Sequence, residues 1–166
     1  FVHRMSRRAF SQYCKPAETN ISNFDLYHDT LLRWQPRVNL VSRSTLPNIW
    51  GRHFLDSAQL LEQIPNPSPK GGWIDIGTGA GFPGLVINLL GYEPMYLVES
   101  NKRKAAFLKE VIRITGATAK VLDGRVEDIG LSEPAFISAR AVGDISKLLN
   151  LANPLVSKNT LCIFPR

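Results

Sequence analysis

The chain has 166 residues, 44% hydrophobic and 20% charged, with a formal net charge of +6. That is enough for one domain with its own core. No apolar run reaches the length of a membrane span, and no signal-peptide pattern is present. Cys14 and Cys162 stand far apart without metal-ligand spacing. They read as reduced thiols of a cytoplasmic protein, and no metal is expected.

The charge is unevenly placed. Residues 1–52 hold eight basic and three acidic side chains, a balance of +5, which leaves +1 for the remainder. A basic N-terminal segment suits a polyanionic partner such as nucleic acid, and equally a solvated helical face. Within it Phe24, Tyr27, Leu31 and Trp34 recur at helical spacing, and Pro36 is expected to end that helix. A second helix is predicted over Leu46–Gln63. Trp34 and Trp50 are read as core. His53 and Asp56, three apart on that helix, are read as a buried hydrogen-bonded pair tying the cap to the sheet. Residues 1–64 thus form a helical cap, and residues 65–72, rich in Pro and Gly, form a linker.

From residue 73 to 166, strand and helix patterns alternate. Strands are predicted at Trp73–Ile76, Met95–Val98, Ala119–Leu122, Ala135–Ser138 and Leu161–Phe164. Helices are predicted at Pro83–Leu90, Asn101–Thr115 and Asp144–Asn153. This rhythm predicts an α/β fold, a Rossmann-like parallel sheet with helices on both faces. Ligands in such sheets bind beyond the carboxyl ends of the strands.

The first strand runs into Asp75-Ile-Gly-Thr-Gly-Ala-Gly-Phe-Pro-Gly84. Closely spaced glycines let backbone N–H groups approach a ligand, and the following helix N-terminus adds partial positive charge. Two frames fit. Gly79, Gly81 and Gly84 match the dinucleotide fingerprint of an NAD-type oxidoreductase, with Glu99 about 20 residues on. Asp75, Gly77, Gly79 and Gly81 match the first motif of S-adenosylmethionine-dependent methyltransferases. An acid before the turn works against a pyrophosphate and suits an ammonium and a sulfonium, so Asp75 favours the second frame. The other strand ends add Glu99, to accept the ribose hydroxyls, and Val126 and Glu127, to line the adenine pocket. Arg140 follows the fourth strand, nearest the transferred methyl.

The acceptor is read from what is missing. The fourth strand end carries Ser138-Ala139-Arg140-Ala141 and not the Asn/Asp-Pro-Pro-aromatic loop that goes with exocyclic amines. Neither cysteine stands at a strand end as a nucleophile for a pyrimidine carbon. A ring nitrogen such as guanine N7 has a free lone pair and needs no general base, so no catalytic residue is assigned.

At this point the chain resembles the bacterial small-subunit (16S) ribosomal RNA guanine-N7 methyltransferases, the glucose-inhibited division protein B family. The resemblance rests on Trp34 with Asn39-Leu40-Val41-Ser42, on Arg52-His53-Phe54-Leu55-Asp56-Ser57, and on the glycine loop. It extends to Glu99-Ser-Asn-Lys-Arg-Lys104, Arg125-Val126-Glu127 and Ser138-Ala-Arg-Ala141. It implies a class I S-adenosylmethionine-dependent fold and cofactor contact at Gly77, Phe82, Val126, Glu127 and Arg140. It also implies a guanine in 16S rRNA of the 30S subunit as substrate. Arg52 and Arg140 are the candidates for RNA contact. Members of that family continue past Phe164-Pro165 into a final pair of strands, so the methyltransferase domain is expected to be truncated. The rival reading from another class is a catalytically inactive RNA-binding module of the same fold.

Overall fold

In the computed structural model, residues 6–15, 18–65, 71–125, 133–140 and 144–165 are described. Five strands run parallel: β1 Trp73–Ile76, β2 Met95–Glu99, β3 Lys120–Asp123, β4 Phe136–Ala139 and β5 Leu161–Ile163. Their order is β3-β2-β1-β4-β5, so the chain reverses its winding between β1 and β4. That switch opens a crevice at the carboxyl ends of those two strands, directly above Asp75 and Ser138.

The strands alternate between two apolar layers, as period-two side chains must. Trp73, Met95, Leu97 and Phe136 point to one face, while Ile74, Ile76, Val98 and Ile137 point to the other. The second face is covered by α6 (Ile145–Ala152) through Leu148 and Ala152. The first face carries α4 (Gly84–Leu89) and α5 (Lys102–Thr115). The side chain of Asn101 caps α5 by accepting from Arg103 and Lys104 N–H, and Gly116 ends it in a left-handed turn.

The N-terminal helices share this first core. Helix α1 (Arg7–Cys14) buries Phe10 edge-on against Phe24. Helix α2 (Glu18–Val38) lies against α5 and buries Phe24, Tyr27 and Leu31. Pro36 does not end it: the helix continues to Val38, two residues past a ring that cannot donate to the carbonyl four residues back. The chain leaves through Asn39, in a left-handed conformation at φ 51°. The Gln35 side chain then accepts from Leu40 and Val41 N–H (2.9 and 3.0 Å) and donates to the Val41 carbonyl (2.7 Å). One amide thus fixes the direction of residues 39–42.

Residues 46–63 are not one regular helix. A 3₁₀ turn at Leu46–Asn48 leads into a π-helical turn, Trp50–Leu55. A short α-turn, α3 (Asp56–Ala58), and a second 3₁₀ turn, Gln59–Gln63, follow. The widened π-turn lets Phe54 enter the aromatic cluster of Phe10, Phe24, Tyr27 and Phe82. Trp34 and Trp50 pack on this core, on Phe107 and on Phe10 and Phe54 respectively. No helix among the described residues is long and apolar enough to cross a membrane.

Candidate functional site

The glycine loop after β1 is organised from beneath. Asp75 has no exposed surface. Its Oδ2 accepts from the Thr78 hydroxyl (2.6 Å) and from Gly84 N–H (2.8 Å). Its Oδ1 accepts from the Ser138 hydroxyl (2.8 Å), which in turn accepts from Trp73 Nε1 (2.7 Å). The expectation that Asp75 faces the ligand is therefore corrected. It is an internal anchor that ties β1, β4, the loop and the start of α4 together. Burial pushes its carboxyl up to about 6, against the lowering effect of the Thr78, Gly84 and Ser138 donors and Arg140. Gly84 must lack a side chain here, because a Cβ would lie 2.8 Å from Asp75.

The four loop glycines divide into two pairs. Gly77 and Gly79 lie toward the surface, at φ 62° and 60°, and line the cleft. A Cβ at Gly79 would meet nothing closer than 3.9 Å, so it would project into open space. Gly81 is buried and turned inward, where a Cβ would collide with the Tyr27 hydroxyl and with Leu85. Its expected ligand contact is corrected to a packing role. The Tyr27 hydroxyl donates to the Ala80 carbonyl, which pins the loop to α2.

Glu99, at the end of β2, is buried but faces the loop. Its Oε2 accepts from Gly79 N–H (2.9 Å) and its Oε1 from Asn101 N–H (2.8 Å). Each carboxylate oxygen retains a lone-pair direction for a hydroxyl.

The cleft is about 370 Å³, between the loop and the cap. Gly77, Gly79, Phe82 and Arg140 line it from the sheet side, and Leu40, Ser42, Thr45 and His53 from the cap side. Phe82 is sandwiched, stacked on Tyr27 at 5.5 Å and on His53 at 4.8 Å. The expected His53–Asp56 pair does not form. His53 Nε2 lies 2.8 Å from Thr45 Oγ1, which itself donates to the Ser42 carbonyl. Nε2 is therefore the donor and Nδ1 carries the lone pair, buried and without a partner among the described residues. Burial, then the charges of Arg140 and Arg52, pull His53 down to about 4, so the ring is neutral at physiological pH.

Asp56 pairs with Arg140 instead. Arg140 Nη2 lies 3.8 Å from Asp56 and donates to the Arg52 carbonyl (2.8 Å). This clasp joins the end of β4 to the π-turn. The Arg52 side chain itself is exposed. Val126 and Glu127 lie outside the described residues. Thr78, Thr45, Gln35 and Tyr27 support the site through contacts that sequence spacing does not reveal, and Ser138, at the fourth strand end, lies beneath the loop on Asp75.

Comparison with known proteins sharpens the picture. Residues 20–165 match the family model described as rRNA small subunit methyltransferase G. The chain is 46% identical over 140 residues to the ribosomal RNA small subunit methyltransferase G of Rhodospirillum centenum, covering 84% of this chain and 64% of that protein. It is 42% identical over 160 residues to the protein of that name from Parvibaculum lavamentivorans, covering 89% and 70%. The chain thus spans about two thirds of the length of these curated relatives. Among solved structures, a SAM-dependent methyltransferase from Aquifex aeolicus superposes with a TM-score of 0.52 at 18% identity, over 66% of this chain and 62% of that one. The Trypanosoma brucei PRMT1 enzyme–prozyme complex with AdoHcy gives 0.56 at 15%, over 66% and 38%. Those two likenesses are of fold, a class I Rossmann-like methyltransferase sheet. The sequence relationship goes further, and on it the chain belongs to the rRNA small subunit methyltransferase G family.

Proposed function

We propose that this protein is a cytoplasmic enzyme that methylates N7 of a guanine in 16S rRNA of the small ribosomal subunit, using S-adenosylmethionine. The observation that carries the cofactor assignment is the Glu99–Gly79 contact. An acid at the end of the second strand is fixed by a loop N–H, beside a loop position whose missing side chain leaves open space. That cradle fits a nucleoside: Glu99 would take the ribose diol, and the Gly77–Gly79 backbone would lie along the ligand. Val126 and Glu127 are proposed to border the adenine. The family relationship supports the substrate class.

S-adenosylmethionine supplies an electrophilic methyl on a sulfonium. The protein's own work is to bind and orient. Guanine N7 holds a lone pair and no proton, so no residue has to remove one. Neutral His53, stacked on Phe82, adds no charge to the cleft wall. The base becomes cationic on methylation, so an acid near it lowers the barrier. Exposed cations at the cap, Arg43 and Arg52 among them, would meet phosphates.

Two measurements test this. Calorimetry with S-adenosylhomocysteine against NAD should show binding of the first only; NAD binding alone would revive the oxidoreductase reading. Tritium transfer to 30S particles should label RNA at a guanine that becomes depurination-sensitive. The chain used should be completed to the length of its relatives. Cofactor binding with no transfer would instead support an inactive RNA-binding module.

A further inference from the structure

A second hollow, about 280 Å³, adjoins the cleft at the clasp and plays no part in the reading above. Arg140 lines both spaces. Its other walls include Asp56, Gln59 and Gln63 from the turns that follow the π-helix, Pro83 from the glycine loop, and Pro165 beyond β5. It therefore lies at the carboxyl ends of β4 and β5, beside the cleft. Such a space is large enough for one heterocyclic base.

Its chemistry is specific. Among the described residues the wall carries one carboxylate, Asp56, and that carboxylate is not spent. Arg140 Nη2 gives its hydrogen bond to the Arg52 carbonyl at 2.8 Å, while Asp56 Oδ2 stands at 3.8 Å, an ion pair without a hydrogen bond. Asp56 accepts no hydrogen bond among the described residues, and its side chain is 43% exposed. Two free acceptor oxygens side by side match a pair of adjacent N–H donors. Among the bases, guanine presents such a pair, N1–H and N2–H, on the edge opposite N7.

We propose that this hollow receives the acceptor guanine, with Asp56 gripping N1–H and N2–H so that N7 is turned toward the cleft. The inference rests on the methyl-transfer reading and names the site of its second substrate. Held this way, the base presents O6 to the Arg140 guanidinium. The Asp56 carboxylate then faces the positive charge that develops on the ring. Asp56 thus serves recognition and charge compensation at once, and Arg140 keeps it oriented while the site is empty.

The experiment is a comparison of RNA carrying guanosine or inosine at the target position, since inosine lacks only the 2-amino group. Wild-type protein should prefer guanosine by about 10–100-fold in kcat/KM. Asp56→Ala and Asp56→Asn should lose about as much on guanosine and treat both RNAs alike, with S-adenosylhomocysteine affinity unchanged within about two-fold. Wild-type transfer in Asp56→Ala, or lost transfer with the guanosine preference intact, overturns the proposal. A second arm needs no transfer: NMR titration with GMP and IMP in the presence of S-adenosylhomocysteine. Binding of GMP over IMP by wild type, abolished in Asp56→Asn, supports the site even if no RNA is methylated, in which case the activity reading alone fails. Equal binding of the two nucleotides, or binding of neither, overturns it.

Discussion

The Asp75 carboxylate accepts Gly84 N–H at 2.8 Å, nine residues along the chain. A buried acid at the end of the first strand thus sets the start of α4, and the glycine loop is the segment stretched between them. Asp75→Asn keeps the size but turns one acceptor oxygen into a donor, leaving it facing Thr78 and Gly84 or Ser138. A buried donor without an acceptor costs about 1–3 kcal/mol. Urea denaturation should show that loss, and calorimetry should show weaker S-adenosylhomocysteine binding, because the loop loses its anchor.

Two buried groups pull the pH dependence of stability in opposite directions. His53 titrates near 4 in the fold and 6.5 when unfolded, so the unfolded chain binds more protons between those values. Its contribution is present above 6.5 and is lost as pH falls toward 4. Asp75 titrates near 6 in the fold and 3.8 when unfolded. Its contribution is present below 3.8 and is lost as pH rises through 6. Each shift is worth about 3 kcal/mol, so the two largely offset between pH 4 and 6. His53→Phe removes one of them. Relative to wild type, its urea-derived stability should rise by about 3 kcal/mol on going from pH 6.5 to 4; a constant difference would rule this out.

Glycine replacements should separate packing from binding. Gly84→Ala forces a Cβ to within 2.8 Å of Asp75 and should destabilise the fold by about 1–3 kcal/mol. Gly79→Ala meets no neighbour, and its cost is the positive φ, about 1 kcal/mol. Its methyl enters the cleft, so S-adenosylhomocysteine binding should fail while the melting transition survives. The pair of measurements distinguishes the two positions.

Glu99→Gln can accept from Gly79 N–H or Asn101 N–H through its one carbonyl oxygen, and presents a donor to the other. A loss of S-adenosylhomocysteine affinity of about 10- to 100-fold is expected, from one lost charged hydrogen bond of about 1.5–3 kcal/mol. Adenine alone, which has no ribose to contact Glu99, should lose much less. Equal losses for both would argue against a ribose-binding role.

Much of the sheet was legible because buried parallel strands read as short apolar runs closed by Gly or an acid. Strand bounds moved by a residue: β3 and β4 begin and end one position later than the hydropathy suggests. The cap was less legible. Residues 46–63 have helical spacing throughout, yet packing of Phe54 and His53 against Phe82 goes with a wider π-turn that spacing alone does not encode.

By itself the sequence determined the order of strands and helices, the glycine loop after β1, and the acid that ends β2. Those depend on local periodicity and on the unique freedom of glycine, which neighbours in the chain suffice to express. Only the tertiary structure decided which of these groups face the cleft. Asp75 and Gly81 look like site residues in the sequence but are turned inward, because Ser138 and Tyr27, 63 and 54 positions away, occupy the space beside them. The same folding brings Asp56 and Arg140 together across the mouth of the crevice, although 84 positions separate them. Long-range proximity comes from sheet order and cap docking, which sequence spacing does not record.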